Sequence, residues 1–330
     1  MDNITHALTG LMMSRAGLNR LTPRASLILV IATNMPDFEL PIMFISEEVY
    51  LRHHRVESHG FLAAPLLACI PVLIASIRRR NSIPWARAWL VSLAGVLSHL
   101  LLDWTNIYGV QLLAPLRSRW FALEIMSVFD VWVWLALGIA TLWPLLERLV
   151  SAEIGARPRP GRKLAVLALL FLLAYGAGRF VLRQRAVAVQ EVWLYRDKAP
   201  ARVAAFPNSV NPFRWRGLVE TERYYVVQEV DLNREFDAGS GRLFYKAPEQ
   251  DVLRRARESP AFEIFRGWSR YPVFTVASLP GNGVKVQVTD FRFAEPGEER
   301  CVATALFDEQ GRLTRSWFQF DPPGVGPNFR

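Results

Sequence analysis

The sequence predicts an α-helical membrane domain over residues 1–183, followed over residues 184–330 by a β-rich α+β domain outside the cytoplasm. The membrane domain is expected to hold about four transmembrane helices and two short half-spanning ones. Three observations carry this reading. Apolar runs of spanning length crowd the first half of the chain. Lys and Arg collect between those runs at alternate ends. From about Gln190 onward the pattern changes to period two.

Residues 60–77 (GFLAAPLLACIPVLIASI) have about the minimum spanning length and run into Arg78, Arg79 and Arg80. Residues 85–104 return after a short turn, residues 128–146 form a third run, and residues 164–182 a fourth that carries no charge before Arg179. Two earlier stretches, 4–13 and 25–33, are too short to cross alone and read as half-spanning or re-entrant helices packed on the others. Arg15, Arg20 and Arg24, then Arg78, Arg79, Arg80 and Arg87, then Arg148, Arg157, Arg159, Arg162 and Lys163 mark the cytoplasmic ends. The opposite loops carry only Arg52, Arg55, Arg117 and Arg119, and the fourth run leads the chain outward.

In the remainder, Val284, Val286 and Val288 alternate with Lys285, Gln287 and Thr289, as in a half-buried strand. Further strands are expected at 223–230, 301–307 and 312–320, with a helix at 249–258. This part contains no His, so imidazole ligands must come from the membrane domain.

Composition excludes some classes. The net charge of +9 and pI near 10.0 would suit nucleic acid, but the arginines cluster between apolar runs, where they encode topology. No nucleic-acid partner is expected. Cys69 and Cys301 offer neither a disulfide framework nor a thiolate metal site. The N-terminal MDNITHALTGL lacks a basic leader and a cleavage site, so it is expected to stay in the mature protein.

The sharpest chemical signal is His99 and Asp103 inside WLVSLAGVLSHLLLDW. On a helix this spacing puts imidazole and carboxylate on one face, and ionisable groups in so apolar a segment need a function or a partner. The Lys/Arg topology, which uses no His or Asp, brings the ends bearing His6, Asp37, His54, His59, His99, Asp103 and Asp130 to one outer side. Nitrogen and oxygen donors together suit zinc, with manganese the second candidate. Plainer readings stand beside this one: a His–Asp hydrogen bond pinning two helices, headgroup anchoring by His53, His54, Arg55 and His59, and a turn aspartate at Asp37 after Pro36. Glu124 is the candidate acid/base or further carboxylate ligand. Arg55, with Arg117 or Arg119, could neutralise a phosphate. Serine catalysis is disfavoured, because Ser58-His59 and Ser98-His99 are adjacent pairs and no Gly-x-Ser-x-Gly elbow occurs.

Several segments together carry a resemblance: MDNITHALTGL, the ATNMPD turn, HHRVESHG, SHLLLDWTNIYGVQLLAPLRSRWFALE and FDVWVW. They resemble the YdjM-type family of inner-membrane-associated, metal-dependent hydrolases. PFRWRGLVETERYYV resembles the extracytoplasmic portion of longer members. The resemblance implies a multi-pass protein of the bacterial inner membrane with its C-terminal domain on the periplasmic side, and a remote likeness to the zinc-dependent phospholipase C and P1 nuclease group. It implies ligand roles for His6, Asp37, His59, His99 and Asp103, and Asp130 matches a family aspartate before a Trp-rich span. In one place the chain departs from the family. The family's His-Arg-Gly-x-Thr-His-Ser reads here His54-Arg55-Val56-Glu57-Ser58-His59-Gly60, which removes a turn glycine and a serine.

The expected function is a membrane-embedded metal-dependent hydrolase whose metal-activated water attacks an ester, a phosphoester of a lipid or lipid-linked substrate, at the outer membrane face. Membrane lipids are the expected partners. The alternative is a non-enzymatic scaffold with a structural His/Asp cluster. A proton or ion pathway is a third option, disfavoured because the candidate groups stop on one side.

Overall fold

The computed structural model describes residues 1–77, 83–153 and 161–321. The arginines at 78–80, 157 and 159 that help set the expected topology lie outside the described residues.

Helix α1 (Asn3–Ala16) is started by Asp2, whose carboxylate accepts the amide of Thr5 at 3.0 Å and its hydroxyl at 2.6 Å. Helix α2 (Ala25–Ala32) follows and gives way at Pro36 to a 3₁₀ segment, Met35–Phe44, in which Pro36 and Pro41 deny the i→i−4 ladder its donors. Next come α3 (Glu47–His53), α4 (Ala64–Leu67) and α5 (Cys69–Ser76). The span expected at 60–77 is therefore broken. Pro65 and Pro71 each remove a backbone donor, and the chain forms two short helices rather than one.

The long helices are α6 (Trp85–Thr105), α7 (Val131–Glu153) and α8 (Arg162–Glu191). Among the described residues these three are long and apolar enough to cross a membrane, and the number rises to five if two bent pairs, 25–44 and 47–76, each count as one span. Helix α1 sits among them, packed on α2, α6, α7 and α8. Gly95 lets α6 close on α2: a Cβ there would come within 2.8 Å of the Ala32 methyl. That contact sets His99 one turn further along the same face.

The C-terminal domain contains two four-stranded antiparallel meanders. The first is β1 (Arg202–Pro207), β2 (Arg214–Glu220), β3 (Tyr224–Asp231) and β4 (Arg242–Tyr245). The second is β5 (Pro272–Ser278), β6 (Val284–Asp290), β7 (Val302–Phe307) and β8 (Leu313–Gln319). Between them lie α9 (Asp251–Arg257) and α10 (Pro260–Trp268). The strands expected from alternation correspond to β3, β6, β7 and β8. Helix α10 turns Ala261, Phe262, Phe265 and Trp268 onto β7 and β8.

This domain is not a free appendage. Its larger core includes Leu51 of α3 and Tyr108 of the loop after α6. At the end of β8, the amides of Phe318 and Phe320 donate to Glu48 and Glu47 at 3.1 and 2.7 Å. Arg179, 1% exposed within α8, spends its guanidinium on the carbonyls of Ile125, Pro212 and Asn208. Asp290 is fully buried. Burial alone would raise its carboxyl pKa, but the Arg292 guanidinium, the Ser269 hydroxyl and backbone amides hold it well below the usual carboxylate range. Arg270, half-buried and facing Arg292, is pulled down to about 10 against the opposing pull of Glu124.

Candidate metal centre

Four segments deliver the polar side chains to one point. Helix α6 contributes His99 and Asp103, both with no solvent exposure. The 3₁₀ segment turns Asp37 and Glu39 inward and Phe38 outward. The loop after α3 contributes His54, Arg55 and His59, and the first turn of α1 contributes His6.

The hydrogen bonds fix the tautomers. His99 Nδ1 lies 2.7 Å from the backbone carbonyl of Thr33. A carbonyl only accepts, so Nδ1 carries the proton and Nε2 of the neutral ring keeps its lone pair. Ser58 Oγ donates to Glu39 Oε2 at 2.6 Å and lies 2.9 Å from His59 Nδ1, which must then donate to it. Nε2 of neutral His59 is likewise a bare acceptor. These two Nε2 atoms face each other at 3.0 Å.

Two carboxylate oxygens complete the group. Asp103 Oδ2 lies 3.3 Å from both imidazole nitrogens, and Asp37 Oδ1 lies 3.5 and 3.7 Å from them. Neither oxygen has a hydrogen-bond partner, although both are buried. The other oxygen of each carboxylate is held by scaffold donors: Asn3 on Asp37 at 3.2 Å, and Asn106 at 3.4 Å, His6 at 3.2 Å and the amino group of Met1 on Asp103. These four candidate ligand atoms lie within 4.8 Å of one another. A tetrahedral ion with bonds of about 2.0–2.1 Å spaces its ligands by about 3.3 Å, so the donors fit such an ion in type and in spacing.

Charge points the same way. Among the described buried side chains at the group, Asp37, Glu39 and Asp103 are opposed by one permanent cation, Arg55; Met1 and the imidazoles add positive charge only when protonated. Uncompensated carboxylates in an apolar interior are costly, and a cation at the four donors relieves that cost.

The surrounding residues serve this group. His6 stacks on His99 with ring centroids 3.8 Å apart, and its own Nδ1 is unpartnered. His54 stands one layer back, with Nδ1 3.1 Å from Glu39 and its ring stacked on Tyr50. Arg55 Nε lies 3.0 Å from Asp103 Oδ2, in ion-pair range but without hydrogen-bond alignment, while Nη1 reaches Asn106 at 3.0 Å. His53 is exposed beside Glu57. Asp130 caps α7, accepting the amides of Trp132 and Val133 and the hydroxyl of Tyr175, and supplies no atom to the group. Glu124 is engaged by Arg183 and Arg270 where the two domains meet, and it too supplies none.

Glu39 is the principal residue that the sequence reading passed over. It accepts from Ser58, from the Arg55 amide at 2.9 Å and faces His54, so it organises the whole loop. The available signal was an acid two residues from Asp37 inside the apolar DFELPIMF.

The same loop accounts for the altered family motif. The left-handed residue is Arg55 (φ 60°), whereas Val56, at the glycine position, keeps a negative φ of −105°. Arg55 is held there by Glu39 at its amide and by Gln111, whose amide donates to its carbonyl at 3.0 Å. At Gly60, a Cβ would run into the carbonyl oxygen of Ala114. Restoring the family serine by Gly60→Ser is therefore expected to destabilise the protein by about 1–3 kcal/mol. An unchanged melting temperature would show that the Ala114 segment yields instead.

Fold and centre together define a helical membrane protein with a buried His/Asp group. The family model described as "YdjM inner membrane protein" matches residues 1–186, more than half the chain, and the chain belongs to that family. It is also similar to "Uncharacterized protein YfhP" of Bacillus subtilis (strain 168), at 26% identity over 154 residues, 43% of this chain and 46% of that protein. The match thus spans about half the length of this curated relative. No solved structure matches the chain.

Proposed function

We propose that Asp37, His59, His99 and Asp103 hold a divalent metal ion, zinc by ligand type with manganese as the second candidate, and that the protein is a metal-dependent hydrolase of the inner membrane. The observation that carries the reading is the pair of imidazole Nε2 atoms facing each other at 3.0 Å beside two buried carboxylate oxygens that accept no hydrogen bond. When bound, such an ion supplies Lewis acidity that lowers the pKa of water and polarises an ester oxygen. Thr33 and the Ser58–Glu39 pair hold both imidazoles in the metal-binding tautomer. Arg55 carries a buried guanidinium beside the group, suited to an anionic phosphoester oxygen. His6 and His54 support the ligands from behind, and Asp130 and Glu124 are assigned no step. Phe38, Phe44 and Ile45 are exposed on the segment that bears Asp37, which favours a lipid or lipid-linked substrate. The β-rich domain would lie on the periplasmic side, with the centre at the outer face.

A second reading has its own support. Four protein donors, three of them with no exposure, make a closed set, as in structural metal sites that keep no position for water. Turnover separates the two. Metal-loaded protein is expected to cleave a phosphoester in a lipid-substrate screen, with activity lost in His99→Ala and Asp103→Ala. A metal-loaded protein inert toward every phosphoester and acyl ester tried would favour the structural site.

A further inference from the structure

The loop after α6, Asn106 to Gly109, belongs to both domains. On the membrane side, Asn106 donates to Asp103 Oδ1 at 3.4 Å, and its own oxygen accepts from Arg55 at 3.0 Å and from the Tyr108 amide at 2.8 Å. On the other side, Arg292 of the β-rich domain donates through Nη1 to the carbonyls of Ile107 (3.2 Å) and Tyr108 (2.9 Å). Arg292 is itself locked. Asp290 grips it with both oxygens at 2.9 Å, Trp268 accepts from Nη2 at 3.1 Å, and the guanidinium lies 4.5 Å from the Trp268 ring centroid. Tyr108 continues the contact, with its ring 5.0 Å from Trp268 on one side and 5.0 Å from the Arg55 guanidinium on another.

We propose that Arg292 is a positioning residue for the metal centre, acting through the Asn106–Gly109 loop to hold Asn106, and with it Asp103 and Arg55, in place. The inference rests on the metal reading above. It assigns the β-rich domain, which lies beyond the residues matched by the family model, a direct part in the centre. A guanidinium is needed because it bridges two carbonyls while paired to a carboxylate, which a lysine ammonium cannot do from one position.

The test compares full-length wild type, Arg292→Lys and Arg292→Met in detergent. Zinc affinity is read by chelator competition, and the visible absorption of the cobalt(II)-loaded protein reports the ligand geometry. Arg292→Lys keeps a cation beside Asp290 and so guards against a variant that merely fails to fold. Both variants are expected to bind zinc about 10–100-fold more weakly, the range for loss of an outer-sphere partner, and to show an altered cobalt spectrum with helix content unchanged. Wild-type affinity and spectrum in folded Arg292→Lys would overturn the positioning role while leaving the metal reading intact. Wild-type protein that takes up neither zinc nor cobalt would overturn both.

Discussion

The Asp103→Asn protein is expected to fold and to lose its divalent metal. Asn106 donates to Asp103 Oδ1, so the replacement amide must keep its oxygen there and turn its nitrogen toward His59 and His99. That places a donor where the centre needs a lone pair. The new N–H can satisfy an imidazole Nε2, which offsets part of the stability lost as Arg55, 3.0 Å from that position, gives up its carboxylate partner, and the site changes from a cation site to a dry hydrogen-bonded one. Affinity should fall by more than the roughly 10–100-fold that an outer partner costs, and any metal-dependent turnover should fall with it. Chelator competition on folded protein measures this. Binding as tight as wild type would mean that the four-donor group is not where the ion sits.

The Glu39→Gln protein is expected to show a loss of metal affinity without the loss of any ligand. Oε1 of Glu39 accepts the Arg55 amide, so a glutamine must keep oxygen at that position and present its NH₂ to Ser58. Ser58 then accepts from the glutamine and turns its own proton toward His59 Nδ1, which drives the imidazole proton to Nε2. A protonated Nε2 cannot ligate. The expected effect is again a weakening of about 10–100-fold. Restoration of binding by removing the hydroxyl in a Glu39→Gln/Ser58→Ala double variant would tie the effect to this proton chain. Unchanged affinity in Glu39→Gln would contradict the tautomer argument.

How much of this was legible in the sequence follows from the kind of order each part depends on. His99 and Asp103 could be read because helical periodicity is local, and two ionisable groups one turn apart in an apolar run have little else to do. Asp37 and His59 were reachable only through the assumption that the outer ends of the apolar segments converge. Glu39 was not reachable that way, since its role exists only once the loop carrying His54, Arg55 and Ser58 wraps around it. Helix α6 follows its apolar run closely, whereas α7 and α8 overlap theirs and continue past the expected ends, to Glu153 and Glu191. Residues 60–77 do not, because average hydropathy ignores the donors that Pro65 and Pro71 remove. In the C-terminal domain, alternation revealed β3, β6, β7 and β8. Helix α10 was legible by the same local periodicity, with Ala261, Phe262, Phe265 and Trp268 on one face after Pro260, and was passed over. Strand pairing and the seat of Arg292 against the Tyr108 loop depend on contacts between distant segments, which a linear pattern does not encode.

Whether the buried Asp37, His59, His99 and Asp103 group is a metal site is decided by what the purified protein carries. Elemental analysis of the detergent-purified full-length protein gives the metal content per chain. About one or more equivalents of zinc or manganese per chain, retained through purification or regained on incubation, is expected. Protein that carries no divalent metal, even after incubation with zinc and with manganese, would contradict a metal site and leave a hydrogen-bonded His/Asp scaffold in its place.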